Sequence, residues 1–133
     1  MSDHPLKTLI VAADRAISNK DFDGLMRFYA EDATLVVRPG LHARGKQQIR
    51  KAFEAISAYF ENGLKVRQGK MNVIESGDTA LVIMETWLDT IDQNGQDLSN
   101  VRRATYVFRK TSGGGWLCTV DNSYGTDLLD EAD

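Results

Sequence analysis

Glu85, Trp87, Arg102, Tyr106 and Asn122 are the residues of this chain best suited to act on a small molecule, with His42 as a more distant candidate. Glu85 is the acid–base candidate, because a carboxylate set between a tryptophan and a tyrosine loses solvation and its pKa rises. A plainer role is an ion pair with Arg102 or Arg103, since structural charge networks imitate sites. The planar fork of Arg102 suits a carboxylate, and it equally suits solvent near a strand end. Trp87 offers a flat face for ligand stacking, whereas Trp116 reads as core. Tyr106 and Asn122 can orient a ligand by hydrogen bonds or satisfy buried backbone groups. His42 lies in the loop Gly40 to Arg44 and can titrate near neutrality or simply be solvated. Cys118 has no base near it in sequence and reads as a small buried hydrophobe.

The elements that position these side chains are legible from periodicity. Leu6, Leu9, Ile10, Ala13, Ala16 and Ile17 recur at helical spacing, which predicts a first helix over residues 6–18, with Pro5 in its first turn. Asp21 or Asp23 caps a second short helix whose apolar face is Leu25, Phe28 and Tyr29. A short strand over residues 34–37 stops at Pro39-Gly40, and residues 38–44 read as a loop. Gly45 introduces a third helix, lined by Ile49, Ala52, Phe53, Ile56 and Phe60 and stopped near Gly63. The remainder reads as sheet, with strands over 64–75, 79–91, 98–110 and 116–124. Asn94-Gly95 is a type I′ hairpin signal. A two-residue turn there sets Trp87 opposite Arg102, Glu85 opposite Ala104 and Ile83 opposite Tyr106, so that Glu85, Trp87, Arg102 and Tyr106 share one face. Trp116, Cys118, Val120, Asn122 and Tyr124 form one set on the last strand, and Leu117, Thr119, Asp121 and Ser123 the other.

Composition sets bounds on partners. The chain has 133 residues, 42% hydrophobic and 26% charged, which fits a single domain over residues 1–133 with a real core. Net charge is −3 and the basic residues are scattered, so neither nucleic acid nor a membrane surface is an expected partner. The first residues lack a signal-like apolar region and no run is long enough to span a bilayer, so a cytoplasmic address is expected by default. Cys118 is alone, and with only His4 and His42 beside it no metal site is expected. Gly113 to Gly115 joins two strands and is no phosphate loop, and residues 92–97 read as a turn and not a calcium loop. No cofactor is expected. Helices first and a strand meander afterwards is an α+β order.

The stretches ISNKDFDGLMRFYAEDAT (residues 17–34) and ARGKQQI (43–49) resemble the nuclear-transport-factor-2-like superfamily, the SnoaL-like and ketosteroid isomerase-like proteins. The resemblance implies a cystatin-like cone in which N-terminal helices pack on a curved antiparallel sheet around a pocket. Glu85, Trp87, Arg102, Tyr106 and Asn122 would then line that pocket, with His42 at its mouth. The opposite sheet face would suit a homodimer. The isomerase's own catalytic positions fall on Ala13, Val37 and the stretch Thr105 to Val107, so its base and its acidic donors are missing and its mechanism is not expected here. A second resemblance, through Gly77 to Ala80, Ile91 to Gly95 and Thr105 to Arg109, is to the association domain of calcium/calmodulin-dependent kinase II. That domain's pocket arginines fall on Trp87 and Tyr106, implying a flatter, less polar ligand. The expected function is binding of an apolar small molecule, with isomerase, cyclase, dehydratase or hydrolase chemistry open. The alternative is a non-catalytic module for self-association.

Overall fold

The structure, a computed structural model, describes residues 4–59, 64–90, 94–97 and 100–130. Helix α1 (Pro5–Ser18) begins with the His4 ring nitrogen accepting a hydrogen bond from the Leu6 N–H at 3.1 Å. Helix α2 (Phe22–Met26) is capped by Asp21, whose carboxylate accepts from the Gly24 N–H at 3.0 Å. These side chains satisfy N–H groups that the first helical turn leaves without partners. Strand β1 (Tyr29–Arg38) follows and turns into β2 (Leu41–Arg44), before helix α3 (Gly45–Tyr59). Strands β3 (Leu64–Ser76), β4 (Thr79–Thr90), β5 (Asn100–Lys110) and β6 (Trp116–Asn122) complete the sheet. The expected loop over 38–44 is thus partly strand, and Tyr29 belongs to β1 instead of the second helix. Phe60, Gly63, Ile91, Gln93 and Leu98 lie outside the described residues.

The six strands run in the order β2-β1-β6-β5-β4-β3. All neighbours are antiparallel except β1 and β6, which pair in parallel, so the sheet is mixed where a purely antiparallel one was expected. Parallel pairing follows from chain path. The last strand inserts between β1 and β5, and its direction is fixed by the hairpin from β5.

Helix α1 packs on β3 and α3 on β1, closing the inner face of the sheet. Ile10 and Ala13 of α1, Leu25 of α2, Ile49 of α3 and Phe108 of β5 meet in one continuous core. Phe28 stands edge-on to Tyr29, at 5.0 Å between ring centres, and to Phe108 at 5.5 Å, the arrangement aromatic quadrupoles favour.

Two features of register decide which side chains face that core. Glu85 pairs with Arg103, Thr86 with Arg102 and Trp87 with Val101, one residue away from the expected register. The pairing is centred on residue 94 itself, with an odd number of residues between any two partners, whereas a two-residue turn requires an even number. One residue of slip exchanges the faces of one strand relative to the other. Met84, Thr86 and Leu88 therefore join Arg102, Ala104 and Tyr106 on the inner side, and Glu85 and Trp87 turn outward. In β6 a bulge intervenes: Val107 pairs with Val120 but Phe108 with Cys118. The extra residue, Thr119, shifts the alternation. Trp116 and Cys118 face inward before the bulge, and Asp121 faces inward after it.

Candidate active site

Between the inner face of the sheet, α1 and α3 lies a cavity of about 460 Å³, within the range of small-molecule sites. Ile17, Leu35, Phe53, Ile56, Val66 and Leu88 give it apolar walls. Asp14, Thr86, Tyr106 and Asp121 interrupt them, and all four are less than a tenth exposed.

Each of these polar groups arrives by a local rule. Asp14 follows Ile10 by four residues and precedes Ile17 by three, so it occupies the helix stripe that faces the sheet. Asp121 is brought inward by the β6 bulge. Thr86 of β4 pairs with Arg102 of β5, and Tyr106 lies further along β5 on the same inner face, opposite Val82.

Asp121 accepts a hydrogen bond from the Tyr29 hydroxyl at 2.6 Å, and Asp14 accepts one from the Gln68 amide. Burial is the main influence on both carboxyls, because a low-dielectric surrounding disfavours the charged form. It raises Asp121 to about 6, with the Tyr29 bond pulling the other way. Asp14 is raised to about 7, where burial outweighs the Gln68 bond and the nearby Asp121 charge adds to the rise. Asp121 therefore ionises first, and its charge adds to the rise of Asp14. Burial also pushes the Tyr29 and Tyr106 hydroxyls well above 10, so both remain protonated donors at neutral pH. The Thr86 hydroxyl lies near that of Tyr106 but completes no hydrogen bond of good geometry, and the Gln68 side-chain carbonyl is likewise buried without a partner. Buried polar atoms are normally paired, and these two depart from that rule.

Of the residues singled out from sequence, Arg102 and Tyr106 line the cavity. Arg102 stands at its more exposed end, with its guanidinium 4.2 Å from the centre of the Tyr124 ring. Glu85, Trp87, Asn122 and His42 do not line it. Glu85 lies on the outer face, where its carboxylate accepts from the Lys70 N–H at 3.2 Å. That contact closes the bulge between Gln68 and Met71. A Cβ at Gly69 would come within 3.0 Å of both Glu85 and the Trp87 indole, so glycine is what allows the two side chains to lie across β3. Trp87 is 39% exposed and carries the Arg67 guanidinium 5.4 Å from its ring centre. Asn122 is turned away by the β6 bulge and staples the chain end instead. Its side chain accepts from the N–H groups of Tyr124 and Gly125 and donates to Thr105 and to the Gly125 carbonyl. His42 is exposed on β2 and borders a separate open groove with Leu41, Lys51 and Tyr59. Cys118 is fully buried, and burial pushes its thiol well above 9.

Sequence reasoning missed Asp14 and Asp121. A charged residue inside the apolar stripe of α1 was a usable signal for the first. The second had none, because it depends on an unpredicted bulge.

The SnoaL-like domain matches this chain over residues 6–119, and the chain belongs to that family, within the nuclear-transport-factor-2-like superfamily. Among curated proteins no sequence matches it. Solved structures show the same fold at low identity. Aln2 from a Streptomyces species superposes with a TM-score of 0.78 at 17% identity, over 96% of this chain and 93% of that one. An NTF2-like protein with a cystatin-like fold from Novosphingobium aromaticivorans gives 0.74 at 22% identity, over 87% and 76% of the two chains. A protein from Xanthomonas campestris, provisionally described as a calcium/calmodulin-dependent protein kinase II association domain, gives 0.73 at 20% identity, over 88% and 82%.

The raised carboxyls make stability depend on pH. Unfolded, both titrate near 3.8; folded, they titrate at about 7 and about 6. The folded state thus binds more protons than the unfolded chain between about pH 4 and pH 7, and these groups lower stability as pH rises through that window. Below it the effect is absent, and above it the effect is complete. Asp14→Asn, which carries no charge, is expected to be stabilised relative to wild type by about 2–4 kcal/mol more at pH 8 than at pH 4.5 in urea unfolding. An equal difference at the two pH values would contradict the assignment.

Proposed function

We propose that the protein is a general acid–base enzyme that moves a proton on an apolar small molecule held in this cavity. The observation that carries the reading is the placement of two carboxyls with pKa values near neutrality on one apolar cavity. Between pH 6 and 7 the pair holds about one proton, so a base and an acid coexist in one site. Asp121, kept partly ionised by Tyr29, accepts a proton from carbon next to a carbonyl. The electron pair passes to the carbonyl oxygen, which takes a hydrogen bond from Tyr106 or Thr86, or the proton of neutral Asp14. Where a carbon–carbon double bond adjoins the deprotonated carbon, returning the proton from Asp121 to its far end gives isomerisation. Where a β-hydroxyl is present, the electron pair returns to form a double bond as the C–O bond breaks and the hydroxyl leaves as water with a proton from Asp14 or Asp121, which is dehydration. The helix-one tyrosine of ketosteroid isomerase falls on Ala13, and here the next residue, Asp14, reaches the cavity. Glu85 has no part in this chemistry.

The test uses 1-tetralone in deuterated buffer at pH 7, followed by NMR. Wild type is expected to accelerate exchange at the carbon next to the carbonyl over buffer. Asp121→Asn should reduce that acceleration by about 10²-fold or more, and Glu85→Gln by less than about twofold. No acceleration, or an Asp121→Asn variant as active as wild type, would sink the proposal.

The outer face of the sheet supports a homodimer as part of the same reading. Ile83, Trp87, Val101 and Val120 expose apolar surface there, between 38% and 47% each, and contiguous exposed apolar patches mark interfaces. This is the face opposite the cavity once the register is corrected. The alternative of a purely associating module draws on the same surface. Native mass spectrometry is expected to show a dimer, with Ile83→Glu shifting it toward monomer. A wild-type monomer would contradict the dimer, and a higher-order ring would favour the module.

A further inference from the structure

The exposed end of the cavity carries a positive charge, the Arg102 guanidinium, whose contact is with an aromatic ring and not with an acid. Arg102 lines the cavity and stacks on Tyr124, yet among the described residues no carboxylate lies within ion-pair distance of it. Nor does Arg102 serve Asp14 or Asp121 as a counter-ion. Asp121 is held by the Tyr29 hydroxyl and Asp14 by the Gln68 amide. Stacking on an aromatic face occupies the flat side of a guanidinium and leaves its edge N–H groups free in their plane. Those groups match the two oxygens of a carboxylate.

The position of Arg102 is built, not incidental. Tyr124 is fixed by its hydroxyl, which donates to the Val37 carbonyl at 3.3 Å, and by its N–H, held by Asn122. The turn after it depends on Gly125, where the backbone φ is +56° and an added Cβ would lie 2.0 Å from the Arg103 carbonyl oxygen. Asn122, Gly125 and Tyr124 together therefore place one aromatic ring against one arginine at the cavity entrance.

The other end of the cavity carries Asp14 and Asp121, both buried among apolar walls. With its pKa near 6, Asp121 is mostly ionised at pH 7, so a second negative charge beside it would meet like charge in a low-dielectric surrounding. We propose that the ligand of this cavity is an apolar molecule bearing a single carboxylate, bound with that carboxylate on Arg102 at the entrance and its neutral, reacting portion among Thr86, Tyr106, Asp14 and Asp121. This assignment rests on the acid–base reading for the role of the inner end, and it replaces the less polar ligand that the association-domain resemblance implies.

The experiment compares 2-naphthoate with 2-naphthamide, two ligands of nearly equal shape that differ in charge, by isothermal titration calorimetry at pH 7. Wild type is expected to bind the acid at least tenfold more tightly than the amide. Arg102→Gln should abolish that preference while leaving the amide within about twofold of wild type, with an unchanged melting temperature showing that the fold is intact. Equal binding of the two probes by wild type would overturn the proposal, and so would a preference that survives Arg102→Gln. Failure of both to bind would overturn it together with the cavity as a small-molecule site. A protein that exchanges the protons of 1-tetralone but shows no acid preference loses only the carboxylate assignment. One that prefers the acid but exchanges nothing loses only the acid–base reading.

Discussion

Holding two carboxyls away from water inside an apolar cone is the constraint around which the rest of this structure is arranged. A buried carboxylate is costly unless it is hydrogen-bonded or neutral. The protein uses both remedies: Tyr29 donates to Asp121, while Asp14 keeps its proton to about pH 7 with Gln68 beside it. The Tyr29 bond also joins β1 to β6, the parallel pair, across 92 residues of sequence. The sheet order sets β1 beside β6, the β6 bulge turns Asp121 inward, and Phe28 packs edge-on against the Tyr29 ring.

Residues outside the cavity act through the backbone. Glu85 and Gly69 set the bulge in β3, and a bulge increases the local twist of its strand. Because β3 is an edge strand whose Val66 reaches the cavity wall, this local twist helps shape one side of the cavity. Asn122 performs a comparable task at the other end. Through its bonds to Tyr124 and Gly125 it sets the ring on which Arg102 rests. Polar residues that look catalytic in sequence can thus hold backbone bends and turns near a site without touching it.

Helix periodicity and strand composition were sufficient to read the three helices, the four long strands and the α+β order, since each is set by local pattern, whereas the cone followed from the family resemblance. Asp21 as a cap, Trp116 as core and Cys118 as a buried thiol were legible for the same reason. Face assignment was not, because it depends on parity. Asn94-Gly95 resembles a two-residue turn, but the ladder is centred on Asn94, and that single difference moved Glu85 and Trp87 to the outer face. Arg102 and Tyr106, whose even spacing on one strand keeps them on the same side, stayed together on either register. The bulge at Thr119 exchanged Asn122 for Asp121 by the same parity effect. Asp14 was visible as an acid within the stripe of Ile10 and Ile17, but a hydrophobic-face reading passes over it.

The most direct measurement is a carbon-13 NMR titration of the side-chain carboxyls in the intact protein, with Asp14→Asn and Asp121→Asn used to assign the two signals. The account predicts two coupled transitions near pH 6 and pH 7, with the upper one falling when Asp121 is neutralised. Two carboxyls that titrate near 4, as exposed aspartates do, would contradict it.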